Sequence, residues 1–139
     1  MDLAVKALGV VTKGLTAHTI THICYGDFQS IYPDMLKLPV DQIDLEMANS
    51  DYDILDLFKS HPFTKSVGLG VTDVHTHEVE SVQEVKNGIR KTLDLLPPER
   101  IFVDPDCGLK TRTEEEAKAK LQVITQAVKE VKRELGYGE

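Results

Sequence analysis

Hydrophobic periodicity alternates along this chain between helix spacing and strand spacing, and that alternation restricts the fold more than any other feature. Residues 2–15 carry Ala4, Leu8, Val11 and Leu15 as a helical stripe. "AHTITHIC" (17–24) is β-branched and predicts a strand. "DFQSIYPDMLKL" predicts a short, poorly formed helix interrupted by Pro33. A second strand falls in "DQIDLEMA" (41–48). Ile54, Leu55 and Phe58 then return to helical spacing within 51–59, and His61-Pro62 breaks that segment. "SVGLGVTDV" (66–74) is a third, apolar strand. Ser81 and Glu84 form a capping box ahead of Val82, Val85, Ile89, Leu93 and Leu96, and Pro97-Pro98 stops that helix. "RIFV" (100–103) is a fourth, short strand. Thr113 and Glu116 form a second capping box, and the last helix runs through Ala117, Leu121, Ile124, Val128, Val131 and Leu135 to Gly136. Its first turn, Glu114-Glu115-Glu116, is acidic where the helix dipole favours acid.

One helix followed by four strand–helix units implies a parallel sheet with right-handed crossovers. At 139 residues the chain is one domain, 1–139, with no linker and no low-complexity segment. Four units are too few for a closed eight-stranded barrel of about 250 residues, and enough for half of one. An open four-stranded sheet leaves two strand edges unpaired. The expectation is therefore self-association or a complementary partner, a terminal element that covers the edges, or a chain that is a piece of something larger.

In parallel α/β architectures the chemistry lies at the C-terminal strand ends. The first strand ends at His22 and Cys24, the second at Glu46, and the third at Asp73 and His75. The fourth runs into "DPDCGLKTR", with Asp104, Asp106, Cys107, Lys110 and Arg112. His22 and Cys24, two apart in a strand, share a face. A His-x-Cys pair alone is usually incidental, and a lone cysteine in an apolar strand is usually just buried. With Glu46 and Cys107 on later strand ends, the set offers two sulfurs, one imidazole and one carboxylate, which suit Zn2+. Gly108 is expected to permit a turn there.

Two other motifs invite different readings. His75-Thr76-His77 matches a first metal motif of metal-dependent amidohydrolases, but no histidine follows His77 to complete such a site. Gly68-Leu69-Gly70 lies inside a strand rather than opening a helix, and Asp73 stands where a dinucleotide loop needs its third glycine. The net charge of -7 argues against a nucleic-acid partner. No apolar run approaches the ~18 residues of a membrane span, and the N-terminus does not read as a secretion signal. The expectation is a cytoplasmic protein with no membrane partner, whose two cysteines serve metal or catalysis rather than a disulfide.

"THICYGDF", "IDLEMANSDYD", "GLGVTDVH" and "DPDCGLKTR", in that order, resemble the catalytic C-terminal barrel of cobalamin-independent methionine synthase, above all its short, core-only bacterial and archaeal relatives. The likeness runs from about Ala17 to Leu135, and "PDCGLKTR" is its most specific element. It implies the fold class: α/β, a parallel (βα)4 half of a TIM-type barrel preceded by one N-terminal helix. It implies His22, Cys24, Glu46 and Cys107 as zinc ligands, with Glu46 the one that yields to substrate sulfur. It implies methyl transfer to the thiol of homocysteine, from methyltetrahydrofolate or a methyl-corrinoid, with a second half-barrel completing the site. His75 matches a histidine that helps protonate the leaving methyl carrier, with Asp73 orienting it. The chain departs from the family pattern at Asp104, where Asn is usual, and at Thr76-His77-Glu78, where Ser-Pro-Arg often follows. The family's homocysteine-holding Asp-Glu-Pro motif and further acidic and serine residues have no counterpart in this sequence.

Overall fold

The structure, a computed structural model, describes residues 1–24 and 26–138. Helix α1 spans Asp2–Val11, followed by β1 (Ile20–Ile23), α2 (Phe28–Ile31), β2 (Gln42–Leu45), α3 (Leu55–Ser60), β3 (Ser66–Gly70), α4 (Val82–Leu93), β4 (Ile101–Asp104) and α5 (Glu114–Glu134). The strands form one sheet in chain order, β1-β2-β3-β4, and every neighbouring pair is parallel. This is the α/β alternation that the sequence implies.

Register divides the sheet into two faces of different chemistry. Ile43, Val67 and Ile101 align across β2, β3 and β4, as do Leu45, Leu69 and Val103, with Ile23 beside them in β1. These odd-numbered positions join the main core, where Ile89 of α4 and Ile124, Ala127 and Val131 of α5 cover them. The even-numbered positions form the other face. His22, Asp44, Gly68 and Phe102 align there, and Ile20 and Phe102 remain 54% and 45% exposed. The face away from the helices is thus open and largely polar, which is how the inner surface of an unclosed half-barrel looks.

Both capping boxes form as the sequence implies. Ser81 and Thr113 accept from the amides of Glu84 and Glu116, whose carboxylates accept from the cap amides in return. Lys86, inside α4, reaches Glu130 and Glu134 of α5 and ties the two helices together. The stretch 27–38 resolves into α2 and a single 3-10 turn, Asp34–Lys37, on either side of a cis Tyr32–Pro33 bond.

Three expectations change. The first helix stops at Val11, where the Thr12 hydroxyl donates to the Leu8 carbonyl and Gly14 turns the chain at φ +81°. Its stripe does not bury as a unit: Leu8 packs against the core together with Val5, which lies outside the stripe, while Val11 and Leu15 stay 71% and 59% exposed. β2 and β3 are shorter than their β-rich runs because their last residues leave the ladder to build the loops at the C-terminal edge, while β1 begins only at Ile20 and β4 is shifted by one residue to Ile101–Asp104. Val71 still donates to the Asp104 carbonyl at 2.9 Å, and the Asp106 amide then donates to the Thr72 carbonyl at 3.0 Å. Gly108 is not required by any close approach, since a Cβ there would meet nothing within 4 Å and its φ is not positive.

Candidate metal centre

Cys24 follows β1 directly, Glu46 follows β2 directly, and Cys107 lies three residues beyond β4. Parallel strands in register bring these positions to one edge of the sheet. There, ligand atoms of His22, Cys24 and Cys107 all lie within 4.8 Å of one another. The two thiols are free cysteines, each half-buried.

The electrostatics favour a cation at this point. Burial pushes the Cys24 thiol above its ordinary range, and its contact with Cys107 and the nearby Glu46 carboxylate push it further. A cation placed among these donors would reverse that effect, because it favours the thiolate form that burial and the Glu46 charge oppose at Cys24. One imidazole and two sulfurs are the donors that zinc selects over the hard cations. The residues present therefore fit a zinc ion.

Glu46 stands beside the trio rather than inside it. It is almost fully buried, and its Oε1 lies 3.2 Å from Nε2 of His75. Asp73 accepts from the backbone amide of His75 at 2.8 Å, so its carboxylate shapes the loop and does not bond to the imidazole in this arrangement. The two histidines of His75-Thr76-His77 diverge: His75 turns to Glu46, and His77 Nδ1 lies 2.8 Å from Glu116 of α5. Among the described residues no second metal-holding group forms around them.

Gln42, Asp44, Glu80 and Lys120, which the sequence did not single out, shape the site together with Asp104, which it did. Asp44 and Asp104 both lean over Gly68, where a Cβ would fall 2.0 Å from Asp44 Oδ1 and 2.6 Å from Asp104 Oδ2. Burial and the Asp44 charge raise the Asp104 carboxyl, and His22 offsets part of this. Asp44 in turn accepts from Gln42 Nε2 at 2.7 Å. The signal was the alternation Gln42, Asp44, Glu46 against Ile43, Leu45, Met47, which marks a polar face. The loop bearing His75 is held from behind: the Asp73 amide donates to Glu80 at 2.7 Å, and Glu80 pairs with Lys120 at 3.0 Å. Lys120 lies fully buried in α5 and also donates to the Glu78 carbonyl. A cleft of about 280 Å³ opens beside Glu46, lined by Asp27, Phe28, Asn49, Ser50 and Asp53 among others.

A parallel α/β sheet with helices on one face and a His-Cys-Cys cluster on its C-terminal edge defines a TIM-type half-barrel with a thiol-rich centre. The family model described as "Cobalamin-independent synthase, Catalytic domain" matches residues 1–130, and the chain belongs to that family. It is 40% identical over 131 residues to a methionine synthase of Saccharolobus solfataricus, covering 94% of this chain and 40% of that protein. It is 38% identical over 136 residues to a 5-methyltetrahydropteroyltriglutamate–homocysteine methyltransferase of Lactococcus lactis subsp. cremoris, covering 96% of this chain and 18% of that one. Among solved structures, a B12-independent methionine synthase from Shewanella sp. W3-18-1, in complex with selenomethionine, superposes with a TM-score of 0.85 at 25% identity. That match takes in 96% of this chain and 44% of the other. The chain thus spans less than half the length of these relatives. Among the described residues no helix is long and apolar enough to cross a membrane.

Proposed function

We propose that this chain is the zinc-holding half of a homocysteine S-methyltransferase site. The observation that carries the reading is the convergence of His22, Cys24 and Cys107 on one point of the C-terminal edge, in a chain of this family. His22, Cys24 and Cys107 would hold the zinc, with Glu46 as the fourth, most easily displaced ligand. Zinc bound there supplies the positive charge that lowers the pKa of a thiol brought to it.

The chain's own residues do the rest of what this half contributes. The two cysteine sulfurs make the centre electron-rich, so that a substrate sulfur keeps its nucleophilicity. Glu46, which lies against His75 Nε2, would be the ligand to give way to the homocysteine thiol, with that imidazole as its alternative partner. His75 is the residue that passes a proton to the departing methyl carrier, and Asp73 fixes the backbone of the loop that presents it. The methyl donor is a methylated folate or a methyl-corrinoid.

The substrate's amino-acid group is held mainly by the complementary half of a barrel, as a second polypeptide or as further sequence. Two features support this: the chain spans about 40% of its archaeal relative, and its inner sheet face is open. The domain assignment follows, with 1–139 as the C-terminal half of a methionine synthase-like barrel. Methyl transfer to homocysteine, measured on the chain alone and with the remaining half-barrel supplied, tests the reading. Turnover in the complemented sample is expected. Zinc binding with no turnover in either sample favours the second reading, a zinc-binding half-barrel that does not catalyse.

A further inference from the structure

Asp106 precedes Cys107, yet its carboxylate points away from solvent and is fully buried. It accepts three backbone hydrogen bonds. Oδ1 takes the amides of Met47 and Ala48, each at 3.0 Å, and Oδ2 takes the amide of Asn49 at 2.9 Å. Those three amides open the 3-10 turn that directly follows Glu46. The Asp106 amide is bonded as well, to the Thr72 carbonyl beyond β3 at 3.0 Å. Gly70 leaves the room this needs, since a Cβ there would sit 2.3 Å from Asp106 Oδ1. One side chain and its own amide therefore fasten the loops after β2, β3 and β4 to each other. These loops carry Glu46, His75 and Cys107 in turn.

We propose that Asp106 is the positioning residue of the metal centre: it fixes the Cys107 loop against the Glu46 loop, so that the donors are assembled before any ion arrives. The inference rests on the zinc reading for its benefit, but the clamp itself is a property of the metal-free chain. A loop on its own would bear the entropy of ordering when the metal binds. A carboxylate that satisfies three amides inside the protein removes that cost from the binding step and makes the loops one rigid unit.

Asp106→Asn is the informative substitution, because it keeps size and shape but puts an NH2 group against at least one amide that now donates to oxygen. Cobalt and zinc affinity by chelator competition should fall about 10- to 100-fold, as is typical when a supporting residue of a metal site is lost. The thiolate-to-cobalt absorption of the loaded variant should persist, because both cysteines remain. A second readout does not involve metal: the effective concentration of Cys24 for Cys107 in a glutathione buffer should fall by a similar factor. Ile124→Val, a change in the α5 core face outside the three loops, controls for general destabilisation. If Asp106→Asn matches that control in both readouts, the inference is overturned. If the parent chain binds no zinc but the thiol readout still separates Asp106→Asn from the control, the zinc reading fails and the clamp stands. Should Asp106→Asn not fold, amide exchange on the parent chain decides the matter. Met47, Ala48 and Asn49 should then exchange as slowly as the strand amides, and exchange at open-loop rates overturns the inference.

Discussion

The carboxylate of Glu46 meets Nε2 of His75 at 3.2 Å, joining the end of β2 to the loop beyond β3 with the acid buried and the imidazole 38% exposed. Sequence spacing places both residues at the same edge but does not say that they touch. The contact explains how a carboxylate stays next to two thiols without being drawn into the same three-atom cluster. Glu46→Gln keeps the volume and removes the charge. Zinc is expected to remain bound through His22, Cys24 and Cys107, with affinity about 10- to 100-fold lower. Chelator competition checks this, and an unchanged affinity would remove Glu46 from the ligand set.

Asp104 gives a pH test. Its carboxyl is raised by burial and by Asp44, so the folded chain holds that proton more tightly than the unfolded chain does. Its contribution favours the fold below the ordinary aspartate value of about 3.9, and stability falls as pH rises from there through the raised folded value. Above that raised value the burden of the half-buried charge is present. Asp104→Asn, assayed without metal, should therefore be more stable than the parent at neutral pH, with the advantage shrinking as pH drops toward about 4. Urea midpoints across that range read it out, and a pH-independent difference would contradict the assignment.

Glycine requirements separate two positions that the sequence alone ranks the other way. A Cβ at Gly70 would lie 2.7 Å from the Leu45 carbonyl as well as against Asp106, and backbone does not yield cheaply. Gly70→Ala should cost about 1–3 kcal/mol by overpacking. Gly108→Ala meets nothing and should stay within about 0.5 kcal/mol of the parent. Denaturant unfolding of the two variants side by side is the measurement, and equal midpoints would mean that the crowding of Gly70 against Leu45 and Asp106 is relieved by movement.

Lys120→Met probes how the His75 loop is held. Lys120 is fully buried, while its partner Glu80 keeps 18% of its side chain in solvent. Losing the cation leaves that carboxylate without its salt-bridge partner. The cost should be about 2 kcal/mol, below the figure for a fully buried pair because Glu80 stays partly solvated. Amide exchange in residues 73–80 should accelerate more than exchange in β3. Uniform acceleration across the chain would show that Lys120 supports the fold as a whole and not the His75 loop in particular.

Much of the fold was legible because it rests on local rules. The switch between helix and strand spacing gave the parallel α/β order, and Ser81/Glu84 and Thr113/Glu116 marked the starts of α4 and α5. The edge at which His22, Cys24, Glu46 and Cys107 gather followed from parallel topology. What sequence could not give depends on contacts between distant segments. Asp106 bonds amides nearly sixty residues away, and Lys120 reaches Glu80 across forty. Gly68 and Gly70 looked like a weak nucleotide loop. They are in fact the space that Asp44, Asp104 and Asp106 occupy, which appears only when neighbouring strands are in register. The apolar stripe of α1 was visible as a pattern, but burial depends on what lies opposite, and Val11 and Leu15 have no cover.

Zinc content of the purified chain, measured beside that of Cys107→Ser, tests the central claim most directly. Cys107 supplies one of the two sulfurs of the cluster, and a hydroxyl in its place is a poor zinc donor at neutral pH. Stoichiometric zinc in the parent and its loss in Cys107→Ser, with the far-UV spectrum retained, is the expected result. Metal content unchanged by Cys107→Ser would contradict the account, because the centre would then not be where His22, Cys24 and Cys107 converge.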